Sequence, residues 1–248
     1  MDAGGLFAPQ QKAGDEARNR ALLEGMVRME VAVVNLSPTD ALLLPRLGPR
    51  PKLPVFVSAN VRHPSGQALA PPYIIRGGAS ESKARLALDG GGKSEARLAL
   101  DGGSQTRPTA RIAFVGLSAV PLPEVPGVTV DDPQAALHRL LPELRQKADS
   151  IVLLAYMPNR DVVSIAANFP EVDAIVTAYE HQGAAQPYQI GRAWILQSEY
   201  EGKFVGHAGL EFGSDRRLAR LAAPGIQVLD HTVADQPELA ALVARAKK

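Results

Sequence analysis

The fold class follows from the stretch PQAALHRLLPELRQKADSIVLLAYMPNRDVVSIAANFPEVDAIVT, residues 133–177. Two compact apolar runs, Ile151–Leu154 and Ala174–Val176, predict buried strands. Apolar residues recur at helical spacing in Pro133–Lys147 and Asp161–Asn168, so each strand has a helix before it. Strands that alternate with helices of this length are typical of a layered α/β domain in which helices cover a sheet.

The rest of the chain extends this pattern and then changes it. On the amino-terminal side, Asp15–Met29 predicts a helix, and further strands are predicted at Val31–Val34, Val55–Val57 and Ile112–Val115. Asp131 or Asp132 before Pro133 predicts a capped helix start. On the carboxyl side, Ala193–Leu196 is a further compact apolar run, and strands are predicted without intervening helices at Tyr188–Gln197, Phe204–Phe212 and Ile226–Leu229, followed by a helix at Gln236–Ala246. We therefore expect mixed β-sheets flanked by helices.

A tandem repeat interrupts the pattern. The segment Ser82–Gly91 (SKARLALDGG) returns as Ser94–Gly103 (SEARLALDGG). Each copy alternates polar and apolar residues and ends in Asp-Gly-Gly, whose Asp-Gly pair is a strong turn signal. We predict a hairpin insertion near residues 79–107, on the surface of the domain, and a role in docking a partner stays open.

The composition excludes several classes of function. The 248 residues carry 46% apolar side chains, 5% aromatic side chains and a net charge of +1 without blocks of one sign, which does not favour nucleic-acid binding. The absence of cysteine excludes disulfides and thiolate chemistry. No apolar run is long enough to cross a bilayer, so membrane insertion is not expected. The histidines His63, His138, His207 and His231 are isolated from one another in the sequence. No Walker or dinucleotide-binding motif occurs.

A set of segments carries a family resemblance through its order, spacing and strand context. The segments are DAGGLFA (Asp2–Ala8), EGMVRMEVAVVNLSPTD (Glu24–Asp40), PVFVSANV (Pro54–Val61), PYIIR (Pro72–Arg76), RIAFVGLS (Arg111–Ser118), SIVLLAYMP (Ser150–Pro158), VDAIVTAYEHQ (Val172–Gln182) and EYEGKFVGHAGLEF (Glu199–Phe212). Together they resemble the metallophosphoesterase domain of bacterial 5′-nucleotidases and 2′,3′-cyclic phosphodiesterases, within the calcineurin-like family. The resemblance implies a layered metallophosphoesterase-like fold over residues 1–213, with 214–248 as a carboxyl-terminal extension packed on the same domain.

The resemblance also implies where two divalent ions, such as Mn²⁺ or Zn²⁺, would be held, and this chain lacks the expected ligands. In the segment that begins at Asp2, the metal-bridging Asp of the family aligns with Gly5. In the Gly-Asn-His-Glu loop, the Asn aligns with Pro38, the His with Thr39 and the acidic residue with Asp40. Tyr156 and Tyr179 stand where the family has metal-binding histidines, and only His181 keeps the residue type. We therefore predict vestigial site positions with no catalytic residue and no metal.

Three hypotheses follow. The first is a non-catalytic binding or scaffold domain, with a larger protein or assembly as partner. The second is a metal-dependent phosphoesterase with a reduced site around Asp40, His181 and Asp2. The third is a metal-free receptor for a nucleotide-like molecule.

The family's first strand, which carries Asp-x-His, would precede Met1, and its loss would expose the edge of a neighbouring strand. If an upstream export segment is missing from this chain, the protein would be periplasmic or extracellular.

Overall fold

The structure, a computed structural model, describes residues 1–7, 15–47, 54–77, 110–119, 125–179, 186–197 and 203–246. The predicted hairpin insertion, with both repeat copies, and His181 lie outside these residues. The described helices are α1 (Asp15–Arg28), α2 (Pro38–Leu43), α3 (Pro133–Lys147), α4 (Asn159–Asn168) and α5 (Pro237–Ala246), with a 3-10 turn at Leu44–Leu47. None of these helices combines the length and the apolar character needed to cross a membrane.

The strands in the described part of the chain form one six-stranded sheet and three two-stranded sheets. The strands are β1 (Val33–Asn35), β2 (Val55–Val57), β3 (Val61–Arg62), β4 (Tyr73–Arg76), β5 (Ile112–Ser118), β6 (Thr129–Val130), β7 (Ser150–Tyr156), β8 (Ala174–Thr177), β9 (Tyr188–Ile190), β10 (Ala193–Gln197), β11 (Phe204–Phe212) and β12 (Leu218–Val228). The six-stranded sheet has the order β4-β5-β7-β8-β10-β9, in which β5, β7, β8 and β10 run parallel and the edge strands β4 and β9 run antiparallel. The parallel pair β1–β2, the antiparallel hairpin β11–β12 and the short pair β3–β6 complete the fold. The predicted α/β class with mixed sheets flanked by helices is confirmed.

The position of strand β7 in the fold explains why its sequence is a continuous apolar run. Ile151 and Leu153 face the core cluster that includes residues of α3 and α4, whereas Val152 and Leu154 face the cluster that includes residues of β1, β2 and β12. Both faces of the strand are therefore buried, which removes the polar–apolar alternation of a half-exposed strand.

The predicted elements of the described residues are present with bounds that differ by up to three residues, and two predicted strands differ more. Asp132 caps α3, because its carboxylate accepts a hydrogen bond of 2.7 Å from the amide of Ala135. The run predicted as one strand at Tyr188–Gln197 turns at Gly191, where φ is +58°, into β9 and β10. The strand predicted at Ile226–Leu229 is the end of the longer β12, which lies beyond residue 213 and pairs with β11 before it. The division of the chain at residue 213 stays a prediction.

A buried carboxylate joins the strands at their amino-terminal ends. Asp173, which is 1% exposed, precedes β8 and accepts a 3.0 Å hydrogen bond from the amide of Ile151 in β7. Its other oxygen accepts from Nε of Arg192 at 3.0 Å and from Nη2 of Arg217 at 2.8 Å. Because Arg192 precedes β10 and Arg217 precedes β12, one carboxylate ties together segments that are distant in sequence.

Candidate functional site

Most of the predicted site positions come together at the carboxyl ends of β1, β7 and β8. Asp40 follows β1, Tyr156 is the last residue of β7, and Tyr179 follows β8. The segment that carries Asp2 and Gly5 lies alongside β1, where Asp2 forms a parallel bridge with Val34. Carboxyl ends of parallel strands are where open α/β folds usually place their ligands. We call the group Asp2, Gly5, Asp40, Tyr156 and Tyr179 the Asp40 cluster.

The loop that follows β1 begins α2, and its local sequence explains this. Ser37 has an extended backbone, its hydroxyl oxygen accepts a 3.2 Å hydrogen bond from the amide of Asp40, and Pro38 occupies the first turn. A hydroxyl cap followed by proline is a strong helix start. Pro38 and Thr39, which align with ligand positions of the family, therefore serve here as the first residues of a short helix.

The carboxylate of Asp40 is fully buried and is bound by the chain itself. Its oxygens accept hydrogen bonds from the amides of Gly5 (2.9 Å), Leu6 (3.3 Å) and Phe7 (3.0 Å), and from the hydroxyl of Ser37 (2.7 Å). Successive amides can converge in this way because Gly4 and Gly5 have φ of +100° and +78°, which forms an anion-binding concavity of the main chain. Burial raises the pKa of Asp40, although the hydrogen bonds from Ser37 and the amides oppose this shift.

Asp2 is anchored by both its main chain and its side chain. Its amide donates to the carbonyl of Val33 and its carbonyl accepts from the amide of Asn35, each at 3.0 Å, so this residue lies at one edge of β1 while β2 lies at the other. Its carboxylate accepts a 2.8 Å hydrogen bond from the amide of Gly4. Burial, reinforced by the nearby charge of Asp40, raises the pKa of Asp2 to about 6, although the hydrogen bond from Gly4 opposes the shift.

The ring of Tyr156 fills the space next to Gly5. A Cβ atom placed on Gly5 would lie 2.3 Å from Cε2 and 2.8 Å from Cζ of this ring, which is far closer than van der Waals contact. The ring also meets Tyr179 edge to face, with 5.0 Å between the centroids and 69° between the planes. Burial is the main cause that raises the pKa of Tyr156, and Asp40 and Tyr179 add to it. Tyr179 is 39% exposed and forms the outer side of the pair.

Two buried asparagines bind the carboxyl end of β5, and the sequence did not single them out. Nδ2 of Asn35, at the end of β1, donates to the carbonyls of Ala3 (3.0 Å) and Leu117 (2.9 Å). Asn60 binds Ser118 through the amide and the carbonyl of that serine, at 3.0 Å and 2.7 Å. Ser118 is thus the buried end of β5. An asparagine that ends an apolar strand, as in VAVVNL, is the signal that could have revealed Asn35.

The described residues of the cluster do not fit a dinuclear metal centre. Such a centre needs several side-chain ligands for each ion, and the described residues contain no group of three or more His, Cys, Asp or Glu that could hold one. Asp40 directs its oxygens to amides and a hydroxyl, and Tyr156 occupies the space that a ligand at position 5 would need. His181 lies outside the described residues.

Comparisons with known proteins agree on the fold. No protein-family model matches the chain. An uncharacterized metallophosphoesterase of Bacillus subtilis (strain 168), YunD, is 24% identical over 134 residues, which are 53% of this chain and 29% of YunD. A 5′-nucleotidase precursor from Thermus thermophilus superposes with a TM-score of 0.67 at 18% identity and covers 99% of this chain. The NAD nucleotidase NadN of Haemophilus influenzae gives a TM-score of 0.65 at 15% identity over 94% of this chain.

A third structure, the calcineurin-like phosphoesterase YfkN of Bacillus subtilis, gives a TM-score of 0.63 at 16% identity over 98% of this chain. The chain spans 48% of the length of the Thermus 5′-nucleotidase precursor, 47% of NadN and 75% of YfkN. At these identities the likeness concerns the fold. The chain has the calcineurin-like metallophosphoesterase fold.

Proposed function

We propose that this chain is a non-catalytic metallophosphoesterase-fold module that serves as a binding or scaffold part of a larger protein or assembly. The observation that carries the proposal is the packing of Tyr156 against Gly5, where a Cβ atom would lie 2.3 Å from the ring. A metal ligand at position 5 and the tyrosine at position 156 exclude each other in this geometry. Glycine at position 5 and tyrosine at position 156, in place of the metal ligands that the resemblance implies, are therefore compatible with each other as one rearrangement of the site.

The hydrogen bonds of Asp40 support the same proposal. A carboxylate that coordinates a metal must present oxygen lone pairs to the ion. Here the lone pairs point to the amides of residues 5–7 and to the hydroxyl of Ser37. Asp40 thus works as an internal hydrogen-bond acceptor that fixes residues 5–7 on the fold, and its partners among the described residues are main-chain amides and a hydroxyl.

A turnover assay tests the proposal against the phosphoesterase hypothesis. The purified chain is assayed with bis(p-nitrophenyl) phosphate and with AMP, in the presence of Mn²⁺ or Zn²⁺, and its bound metal is measured by elemental analysis. We expect substoichiometric metal and no hydrolysis above that of the metal salts alone. Turnover with about two equivalents of metal, as dinuclear hydrolysis requires, would overturn the proposal if it is lost in His181→Ala and kept in the control His231→Ala.

The nucleotide-receptor hypothesis needs a separate measurement. Calorimetric titration of AMP and adenosine into the chain in the presence of EDTA measures binding that requires no metal. Saturable binding that is lost in Tyr179→Ala, the exposed partner of the aromatic pair, would show that the site retains a small-molecule role. No binding leaves the scaffold role, which we expect.

A further inference from the structure

The carboxyl-terminal helix α5 leaves much of its apolar surface uncovered. It packs on α1 at Gly25, where Leu239 and Leu242 lie 3.9 Å and 3.8 Å from the position of a Cβ atom. Among the residues of α5, Leu242 is buried, whereas Val243 is 49% exposed. The apolar stripe of the helix is therefore wider than its contact with α1. A wide exposed stripe on an amphipathic helix marks a surface for association.

An open groove lies beside this stripe. Its volume is about 480 Å³, and its apolar lining comes from Met29 directly after α1, Leu229 and Val233 in the segment after β12, and Leu239 and Val243 of α5. Met29 is 38% exposed. Grooves of a few hundred Å³ have room for several apolar side chains. We call this surface the α5 groove.

The charges along the α5 groove have one sign. Asp230 and Asp235 line it, and no lysine or arginine does so among the described residues. Hydrogen bonds from the hydroxyl and the amide of Thr232 lower the pKa of Asp230, so this carboxylate is ionised at neutral pH. Arg28 and Arg245 do not line the groove, and they share one carboxylate, that of Glu24, at 2.5 Å and 3.8 Å. The groove therefore combines an apolar floor with an anionic rim.

We propose that the α5 groove docks an amphipathic segment of a partner protein whose apolar side chains are flanked by lysine or arginine. The apolar lining would take up leucine-like side chains from one face of a partner helix, and Asp230 and Asp235 favour a basic partner over an acidic one. None of the lining residues belongs to the Asp40 cluster, so this inference goes beyond the proposed function and does not depend on the metal question.

Peptide binding to the full chain tests the inference. The probes are two acetylated, fluorescein-labelled amphipathic peptides with leucines at the same helical positions, one with lysine and one with glutamate at every polar position. Fluorescence anisotropy is measured at about 0.15 M salt, where long-range attraction is screened. We expect saturable binding of the leucine–lysine peptide and at least about tenfold weaker binding of the leucine–glutamate peptide.

Two variants and their controls locate the binding site. Val243→Gln should weaken the leucine–lysine peptide roughly tenfold because it removes a desolvated apolar contact. The control Val163→Gln changes a valine of similar exposure, 39%, on α4 and should change nothing. Asp235→Asn should weaken binding roughly two- to fivefold, as the loss of one rim charge does, whereas Asp161→Asn on α4 should not. Circular dichroism and thermal melting confirm that each variant is folded.

Several outcomes overturn the inference. Absence of saturable binding, equal binding of the two peptides, or equal losses in Val243→Gln and Val163→Gln would each exclude a basic partner at this groove. Sedimentation of the chain alone gives the remaining outcome. A self-association that Val243→Gln abolishes would assign the groove to a second copy of this chain instead.

Discussion

Replacement of Gly5 by alanine should destabilise the protein through two separable causes. The first is backbone strain, because Gly5 has a φ of +78°, in the left-handed region that residues with a Cβ atom rarely adopt. The second is collision with Tyr156, whose Cε2, Cζ and Cδ2 atoms would lie 2.3, 2.8 and 3.1 Å from the new Cβ. The energetic cost of this collision reports how completely the Tyr156 ring fills the space that a metal-binding side chain at position 5 would need.

The structure supplies a control that contains the strain alone. Gly66 has a φ of +85°, and a Cβ atom there would meet nothing within 4 Å. Gly66→Ala should therefore cost about 1–2 kcal/mol of the free energy of unfolding from left-handed strain. Gly5→Ala should add about 1–3 kcal/mol for overpacking against the ring. The entropic effect of alanine on the unfolded chain is common to both variants and cancels in the comparison.

A double-mutant cycle isolates the contact between residues 5 and 156. Tyr156→Ala removes the colliding atoms, so Gly5→Ala should cost about 1–3 kcal/mol less in that background, close to the cost of Gly66→Ala. Tyr156→Phe keeps all three colliding ring atoms and should give no such relief. The free energy of unfolding is measured by urea denaturation at fixed pH, with the slope of the transition checked for each variant.

Equal costs of Gly5→Ala and Gly66→Ala would refute the reasoning, as would a strictly additive cycle. Either result would mean that the space beside Gly5 is open or that Tyr156 moves away without cost. A metal-binding side chain could then fit at position 5, and the main argument for the non-catalytic proposal would be lost.

Other predictions concern the buried carboxylates. Asp40→Asn replaces an oxygen that accepts main-chain hydrogen bonds by an NH₂ donor, so it should cost about 2–4 kcal/mol of unfolding free energy; a cost near zero in urea denaturation would contradict the contacts with residues 5–7. The pKa of Asp2 is raised to about 6 in the folded protein, so the folded state binds the proton more tightly than the unfolded state. The contribution of Asp2 to stability is therefore greatest below its unfolded pKa and is lost as the pH rises through about 6. The stability of Asp2→Asn relative to the parent protein should therefore increase as the pH rises from about 4 to about 7. If the difference in melting temperature between the two proteins stayed constant or decreased over that range, the raised pKa of Asp2 would be excluded. Asp173→Asn should cost about 1–3 kcal/mol, because the buried side chain loses the charge that binds Arg192 and Arg217 and one of its accepting oxygens becomes an NH₂ group, and the partly exposed Asp161→Asn, measured beside it, should cost little.

Much of the fold follows from local patterns in the sequence. The apolar run at Ile151–Leu154 lies in a strand buried on both faces, and the helix predicted at Pro133–Lys147 has the predicted bounds and is capped by Asp132, one of the two predicted candidates. These elements are predictable because hydrophobic periodicity and helix capping act between residues a few positions apart. The compact run Ala193–Leu196 lies in β10, but the wider run Tyr188–Gln197 divides into two strands, because the apolar residues on both sides of Gly191 suit one strand as well as two.

The sequence alone specifies which side-chain chemistry is present at each site position. Glycine at position 5, proline at 38 and tyrosine at 156 cannot supply the carboxylate, amide and imidazole ligands that the resemblance implies. What these residues do instead is visible only in three dimensions: Tyr156 occupies the space beside Gly5, and the amides of residues 5–7 bind the carboxylate of Asp40. The physical reason is that packing and buried hydrogen bonds join residues far apart in sequence, and such contacts exist only after parallel strands have brought their carboxyl ends together.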